Sequence, residues 1–237
     1  PMRYIQKETW PRRELYDFFA PMSHPFYTLT FPVDVTALRR YTKEKGLSFY
    51  CAMVWLVTKA MDDVEEFRVK IRGEDLILHD HLVPSFTDLH PGSRNFHITT
   101  LEAGDDLADF CRRAKAASAA QTTFLPESPW PEDQLIYFTC LPWFPVTALT
   151  NERDADPTDS IPRVAWGKYE EREGRTQLLV SLELNHRLVD GAHVGALFQA
   201  LERRLEELAC PGRSCAPPFP AARRGSRMSR GRTPGWW

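Results

Sequence analysis

Residues 182–208 read "LELNHRLVDGAHVGALFQALERRLEEL". The leucine-rich start reads as the end of a buried strand. A polar cluster, Asn185, His186 and Arg187, then breaks the apolar run, and Asp190-Gly191 follows within one short turn. Beyond the turn, Val194, Leu197, Phe198, Leu201, Leu205 and Leu208 recur at intervals of three and four. That spacing predicts a helix from about Ala192 to Leu208 with one buried face. A strand therefore passes to a helix through a polar turn that carries a histidine and a carboxylate.

Imidazole titrates near neutral pH, so a fixed neutral histidine can take a proton from a hydroxyl or a thiol. The end of a strand beside a tight turn supplies the rigidity such a base needs. Asp190 is then placed to orient the turn or to balance a nearby charge. A plainer account is also consistent with these residues: His186 is a half-exposed strand residue, and Asp190 only caps the helix that follows.

Working back along the chain, "WPRRELYDFF" (10–19) has Pro near its start and apolar residues at helical spacing. "FYTLTFPVDV" (26–35) alternates and is rich in β-formers, and "DVTALRRYTKEKG" (34–46) is an amphipathic helix with a capping aspartate and a terminal glycine. "SFYCAMVWLVTKAMDDV" (48–64) predicts a mostly apolar helix central to the core. Residues 67–89 predict a strand, a turn at Arg72 to Glu74 and a second strand; residues 105–121 predict a helix. "QLIYFTCLPWFPVTAL" (134–149) is a β-rich run with two prolines, the mark of an edge or a bulge. Residues 163–186 read as two strands joined around "EREGR". Helices and strands are mixed without regular βαβ alternation, so the fold class is α+β.

The chain has 237 residues and a net charge of −2, so a sizeable core is possible and bulk nucleic-acid binding is not indicated. Five cysteines without a CxxC pair read as reduced thiols, and the charged N-terminal stretch lacks the apolar centre of a signal peptide. No apolar run is long enough to span a bilayer. These features predict a cytoplasmic protein with no membrane or nucleic-acid partner. Residues 210–237 contain six arginines, no acid, five prolines and four glycines. They are expected to form a disordered basic appendage to a domain over 1–209.

"NHRLVDGAHVGALFQALE" resembles the signature of the chloramphenicol acetyltransferases, in which a histidine, three residues, Asp-Gly and "xHVG" precede the last helix. The other landmarks follow in order over roughly residues 4–208: the Trp-x-Arg-x-Glu of "WPRRELYDFF", the helix and hairpin of "FYCAMVWLVTKAMDDVEEFRVKIRGEDLILHDHLVPSFT", the Pro-Trp of "LPWFPVTALT", and the strand pair ending at His186. The resemblance implies a two-layer mixed β-sheet with packed helices, the CoA-dependent acyltransferase fold. It also implies a homotrimer with active sites at subunit interfaces. Acetyl-CoA would be the donor, a small-molecule hydroxyl such as that of chloramphenicol the acceptor, and antibiotic resistance the consequence, with no metal required. In that scheme His186 is the general base and Asp190 pairs with Arg12. Tyr169 lies against the CoA adenine, and Phe18, Tyr27 and Phe86 fall near acceptor-pocket positions.

Two departures bear on the chemistry. Counting from Trp143, Ala148 stands where the family is expected to carry a serine that stabilises the oxyanion, and Ala165 matches a threonine of the next strand. Thr147 is adjacent but has the wrong strand phase unless Pro145 marks a bulge. These losses keep open a catalytically impaired or non-enzymatic homologue that binds CoA or an amphenicol. "NHRLVDGA" also resembles the "DHRxxDGA" of dihydrolipoamide acyltransferases, although no lipoyl domain or Ala/Pro-rich linker is present. A metal site built on His186, Asp190 and His193, or on His79 and His81, lacks further ligands at suitable spacing. A Ser-His-Asp hydrolase lacks a GxSxG elbow.

Overall fold

The computed structural model describes residues 2–209; the basic, proline-rich stretch at 210–237 lies outside the described residues. Helix α3 (Phe49–Asp62) forms the centre. Its residues Ala52, Met53, Val54, Leu56, Val57, Ala60 and Met61 are almost wholly inaccessible. An apolar sequence buried on all sides needs a sharp start, and Ser48 provides it: its hydroxyl accepts the Cys51 N–H at 3.2 Å. Around α3 pack α2 (Thr36–Lys45), α5 (Leu107–Ala120) and α6 (Gly191–Ala209), with the one-turn α4 (Glu65–Arg68) at its end. Helix α2 stops at Gly46, whose φ of +63° suits a residue without a Cβ.

The helices cover one face of a seven-stranded sheet. Its strands are β2 (Phe26–Asp34), β5 (Val83–Leu89), β6 (Phe96–Thr100), β7 (Leu135–Leu141), β8 (Arg163–Gly167), β9 (Glu170–Arg172) and β10 (Arg175–Asn185). The order is β2-β10-β8-β7-β5-β6, with β9 paired to β10. β7 runs parallel to both β5 and β8, and the remaining pairs are antiparallel. A separate antiparallel sheet holds β1 (Met2–Ile5), β4 (Asp75–His79) and β3 (Val69–Arg72). Short helix α1 (Arg13–Phe19) precedes β2. Among the described residues no helix is long and apolar enough to cross a membrane.

Three runs differ from their sequence expectation. Residues 163–186 form three strands, β8, β9 and β10, because the first arm breaks at Lys168–Tyr169. Residues 67–89 form three strands, because the chain breaks at Asp80–Leu82 and passes from the small sheet to the large one. The Asp62 carboxylate holds that break by accepting the Leu82 N–H at 2.8 Å. The β-rich run at 134–149 is a strand only to Leu141. Pro142 has no N–H for the ladder, and the chain leaves the sheet there. The departing segment crosses the end of β8 so closely that a Cβ on Gly167 would lie 2.6 Å from both Phe144 O and Val146 N. Gly167 is therefore the residue that lets the loop lie on the strand.

The loop at 142–162 is pinned further on by buried charge. Arg153 Nε bonds Glu183 at 2.6 Å, and both Arg153 and Arg163 reach Asp159. Glu183 lies on β10 two residues before its end, so these pairs tie the loop to the strand that carries the histidine.

Candidate active site

The three polar residues that interrupt the strand have three separate uses. Asn185 turns inward, donating to Pro157 O and Asp159 O at 3.0 and 2.9 Å while its oxygen accepts the Arg187 N–H at 3.0 Å. Arg187 is buried with its guanidinium 4.2 Å over the Tyr16 ring. His186, between them, faces outward and is only partly covered. Its own N–H donates to Pro25 O at 2.7 Å, which ties the turn to the start of β2.

Arg12 holds the same turn from behind. It is 8% exposed, and its guanidinium donates to His186 O at 2.9 Å, to Arg187 O at 3.2 Å and to the Asp190 carboxylate. Asp190 has two jobs. One oxygen takes the Arg12 donor, and the other accepts the Ala192 N–H at 3.1 Å as the cap of α6. Burial raises the Asp190 carboxyl, but the bond and charge of Arg12 outweigh it, and the net shift is downward. The capping account and the ion-pair account of Asp190 are thus both realised. His193, considered as a metal ligand from sequence, has its Nδ1 turned to the Asp190 N–H at 3.1 Å.

Removing one partner of this pair leaves a charge in poor contact with water. Arg12→Ala and Asp190→Ala are each expected to cost about 3 kcal/mol of stability. The double variant should lose less than the sum, because the second deletion removes a charge already stranded. Chemical denaturation of the four proteins checks this, and strict additivity would show that the two side chains do not depend on each other.

The His186 ring is fixed by its faces. Phe19 stacks on it at 4.1 Å between centroids with the planes 23° apart, and Tyr27 tilts against it at 4.5 Å. Among the described residues neither ring nitrogen has a hydrogen-bond partner, so both remain free for a ligand. Burial lowers the imidazole below its ordinary 6.5, and the positive Arg12 lowers it further against a smaller opposing effect from Asp190. Tyr27 donates to Val189 O at 3.1 Å, and burial followed by the nearby Asp190 charge pushes its phenol up to about 12. Phe18 packs edge-on against Phe19 and is 66% exposed. Phe19 itself escaped the sequence reading, since nothing in "DFF" distinguishes the second phenylalanine from the first.

The other expected residues lie elsewhere. Phe86 is buried among Tyr50 and Phe110 in the core. Tyr169 stands at the far end of β10, with Phe49 edge-on to it at 5.3 Å and the Arg39 guanidinium 5.2 Å over its ring. Phe49 begins α3 between Ser48 and Tyr50, which both line the large cleft described next.

That cleft has a volume of about 1550 Å³. Ser85, Thr87 and Thr139, from β5 and β7, contribute hydroxyls to it, and the start of α3, α5 and residues 124–130 complete the walls. Ser85 is bonded to Thr100 at 2.9 Å and Thr87 to Phe138 O at 3.5 Å, whereas the Thr139 hydroxyl has no partner among the described residues. Ala165 is the cross-strand neighbour of Thr139. Ala148, by contrast, is exposed in the loop after β7, so counting along a continuous strand from Trp143 does not apply. The free thiols Cys51, Cys111 and Cys140 also line the cleft. Burial raises all three, Cys111 and Cys140 to about 12, so they are protonated at neutral pH and poor nucleophiles. His186, Arg12 and Asp190 do not line this cleft.

Comparison with known proteins defines the class. A solved chloramphenicol acetyltransferase superposes with a TM-score of 0.77 at 22% identity, covering 86% of this chain and all of the other. A probable dihydrolipoamide acetyltransferase from Listeria monocytogenes superposes with a TM-score of 0.60 at 14% identity, covering 90% and 97%. The architecture is thus that of the CoA-dependent acyltransferases. The family model for chloramphenicol acetyltransferase matches residues 2–202. The chain belongs to the chloramphenicol acetyltransferase family, whose members are CoA-dependent O-acetyltransferases. Among its relatives, chloramphenicol acetyltransferase 2 of Escherichia coli is 27% identical over 201 residues, covering 84% of this chain and 94% of that protein. The chloramphenicol acetyltransferase of Streptomyces acrimycini is 27% identical over 207 residues, covering 86% and 94%.

Proposed function

We propose that this protein transfers the acetyl group of acetyl-CoA to a hydroxyl of chloramphenicol or a similar small molecule, with His186 as general base. The observation that carries this reading is the separation of two complementary half-sites. A large cleft holds an unpartnered hydroxyl and no histidine base, and a clamped histidine with both nitrogens free stands outside it. The halves meet if His186 of one copy faces the cleft of another. A homotrimer with three shared sites satisfies that requirement and fits the exposed aromatic side chains Phe18 and Trp143.

A volume near 1550 Å³ exceeds the roughly 300–1,000 Å³ typical of a site for one small molecule, which suits an acceptor together with an acyl carrier. Acetyl-CoA would supply an activated thioester carbonyl. His186 would take the proton from the acceptor hydroxyl as it attacks. Thr139 would donate its hydroxyl to the charge developing on the carbonyl oxygen. Tyr169, held by Phe49 and Arg39 beside the α3 end of the cleft, offers a ring face for the adenine. Phe19, Tyr27 and the Arg12–Asp190 pair hold the base in place. The protonated cysteines favour direct transfer over an acyl-cysteine intermediate.

The direct test is release of CoA thiol from acetyl-CoA with chloramphenicol as acceptor, together with mass by light scattering. A folded trimer that binds both compounds and releases no thiol would instead support a binding protein without turnover.

The pH dependence has a defined sign. The active base is neutral imidazole, and its pKa in the folded chain lies below 6.5. Cover from a second copy adds burial and moves it further down. kcat/KM is therefore expected to decline at low pH with its midpoint below 6.5. A decline centred above pH 7 would show that another group controls the reaction.

A further inference from the structure

A second titratable cluster reaches the same cleft from α5 and β6. Asp88, half-buried on β5, lines the cleft. One of its carboxylate oxygens accepts its neighbour's N–H, from Leu89, at 2.8 Å, and the other accepts the Ser118 hydroxyl at 2.6 Å. Ser118 Oγ also lies 2.8 Å from His97 Nε2, and Ser118 and His97 are both 4% exposed. A hydroxyl has one proton, and here the carboxylate takes it. The serine oxygen must then accept from His97 Nε2–H, which fixes the histidine tautomer. His90 stacks on His97 at 4.2 Å and donates from Nε2 to Gln121 O at 2.9 Å. The protons of His97 and Ser118 both point towards Asp88. The carboxylate is held in position as an ionised acceptor.

Among the described residues no cation lies within ion-pair distance of it. The cleft's charged side chains without an ion pair are Asp88, Glu127, Glu132, Glu152, Arg94 and Lys115. The last five are exposed, and water screens them. Asp88 alone combines partial burial, a fixed position and a free charge. A carboxylate kept this way favours a cationic hydrogen-bond donor. A neutral acceptor could offer it a hydroxyl or amide N–H, but not the added attraction of opposite charge.

We infer that Asp88 is a specificity-determining residue and that the preferred hydroxyl acceptor carries a protonated amine that pairs with it. The inference rests on the acetyl-transfer reading for its acceptor chemistry, and the pairing itself is open to measurement without turnover.

Two probes separate the ideas: 2-amino-1-(4-nitrophenyl)propane-1,3-diol, the amine that remains when the acyl group of chloramphenicol is removed, and its neutral N-acetyl amide. Each is measured with the full chain, as wild type, Asp88→Asn and Ser118→Ala, by thiol release and by equilibrium binding. The wild type should bind the amine more tightly than the amide. Asp88→Asn should weaken amine binding by roughly tenfold or more and leave the amide within about twofold. Ser118→Ala keeps the charge but frees the carboxylate, and should weaken amine binding by less. The ratio of amine to amide within each variant removes any shared loss of fold. An unchanged ratio in Asp88→Asn, or wild-type preference for the amide, overturns the inference. If the ratio falls as expected with no thiol release from either compound or from chloramphenicol, the recognition stands and the acetyl-transfer reading fails.

Discussion

His186→Ala is expected to lower kcat for acetyl transfer by about 10²- to 10⁴-fold while leaving assembly intact. The reasoning joins position to packing. The ring makes no hydrogen bond that the turn needs: the turn is held by Arg12 on two carbonyls and a carboxylate, and by Asn185 on the loop behind. Deleting the imidazole therefore removes a proton acceptor without removing a support. The stability loss should be limited to the contacts with Phe19 and Tyr27. Thermal melting and light scattering of the variant provide the control. More than about a tenth of the wild-type rate in a well-folded His186→Ala protein would exclude it as the base.

Thr139→Ala should have the next largest effect, a fall in kcat of about 10²- to 10³-fold, with Thr139→Ser restoring most of it. Ser85 and Thr87, the other hydroxyls named on β5, are already engaged within the fold. A hydroxyl without an internal partner, facing a cleft, can be aimed at charge that appears only during the reaction. The loss should therefore fall on kcat more than on KM. Ala148 lies outside the strand, in the loop beyond Leu141, so Ala148→Ser should raise kcat only if that loop reaches the site across a subunit boundary. A loss in Thr139→Ala confined to KM would mean that the hydroxyl only helps bind the acceptor.

The parts legible in the sequence were those governed by local periodicity and caps. Ser48 starts α3, Gly46 ends α2, and the apolar stripe from Val194 to Leu205 marks α6, all as their side-chain chemistry requires. The turn at His186 was legible because a polar triplet in an apolar strand demands partners. Its clamp by Arg12 came from family resemblance, since no local rule links residues 178 positions apart. What escaped the sequence depended on where the chain leaves a sheet. Pro142 ends β7, yet Trp143 and Phe144 look like strand residues on composition alone. Asp88 was invisible for a similar reason. It sits within a β-pattern, and its partners Ser118 and His97 come from a helix and another strand.

The clamp also constrains the order in which the molecule can form. Arg12 is the N-cap residue of α1, and its three acceptors lie between residues 186 and 190. Strand β2 likewise pairs with β10, across nearly the whole chain. Closing so long a loop is entropically costly before the contacts exist, and such contacts slow folding. A growing chain emerging from the ribosome can build α3 and pair β3 with β4 from neighbouring segments. It cannot place its histidine until almost all of the domain has been synthesised. Catalytic competence is therefore a late event in the life of each chain, reached only after the first helix finds the last turn.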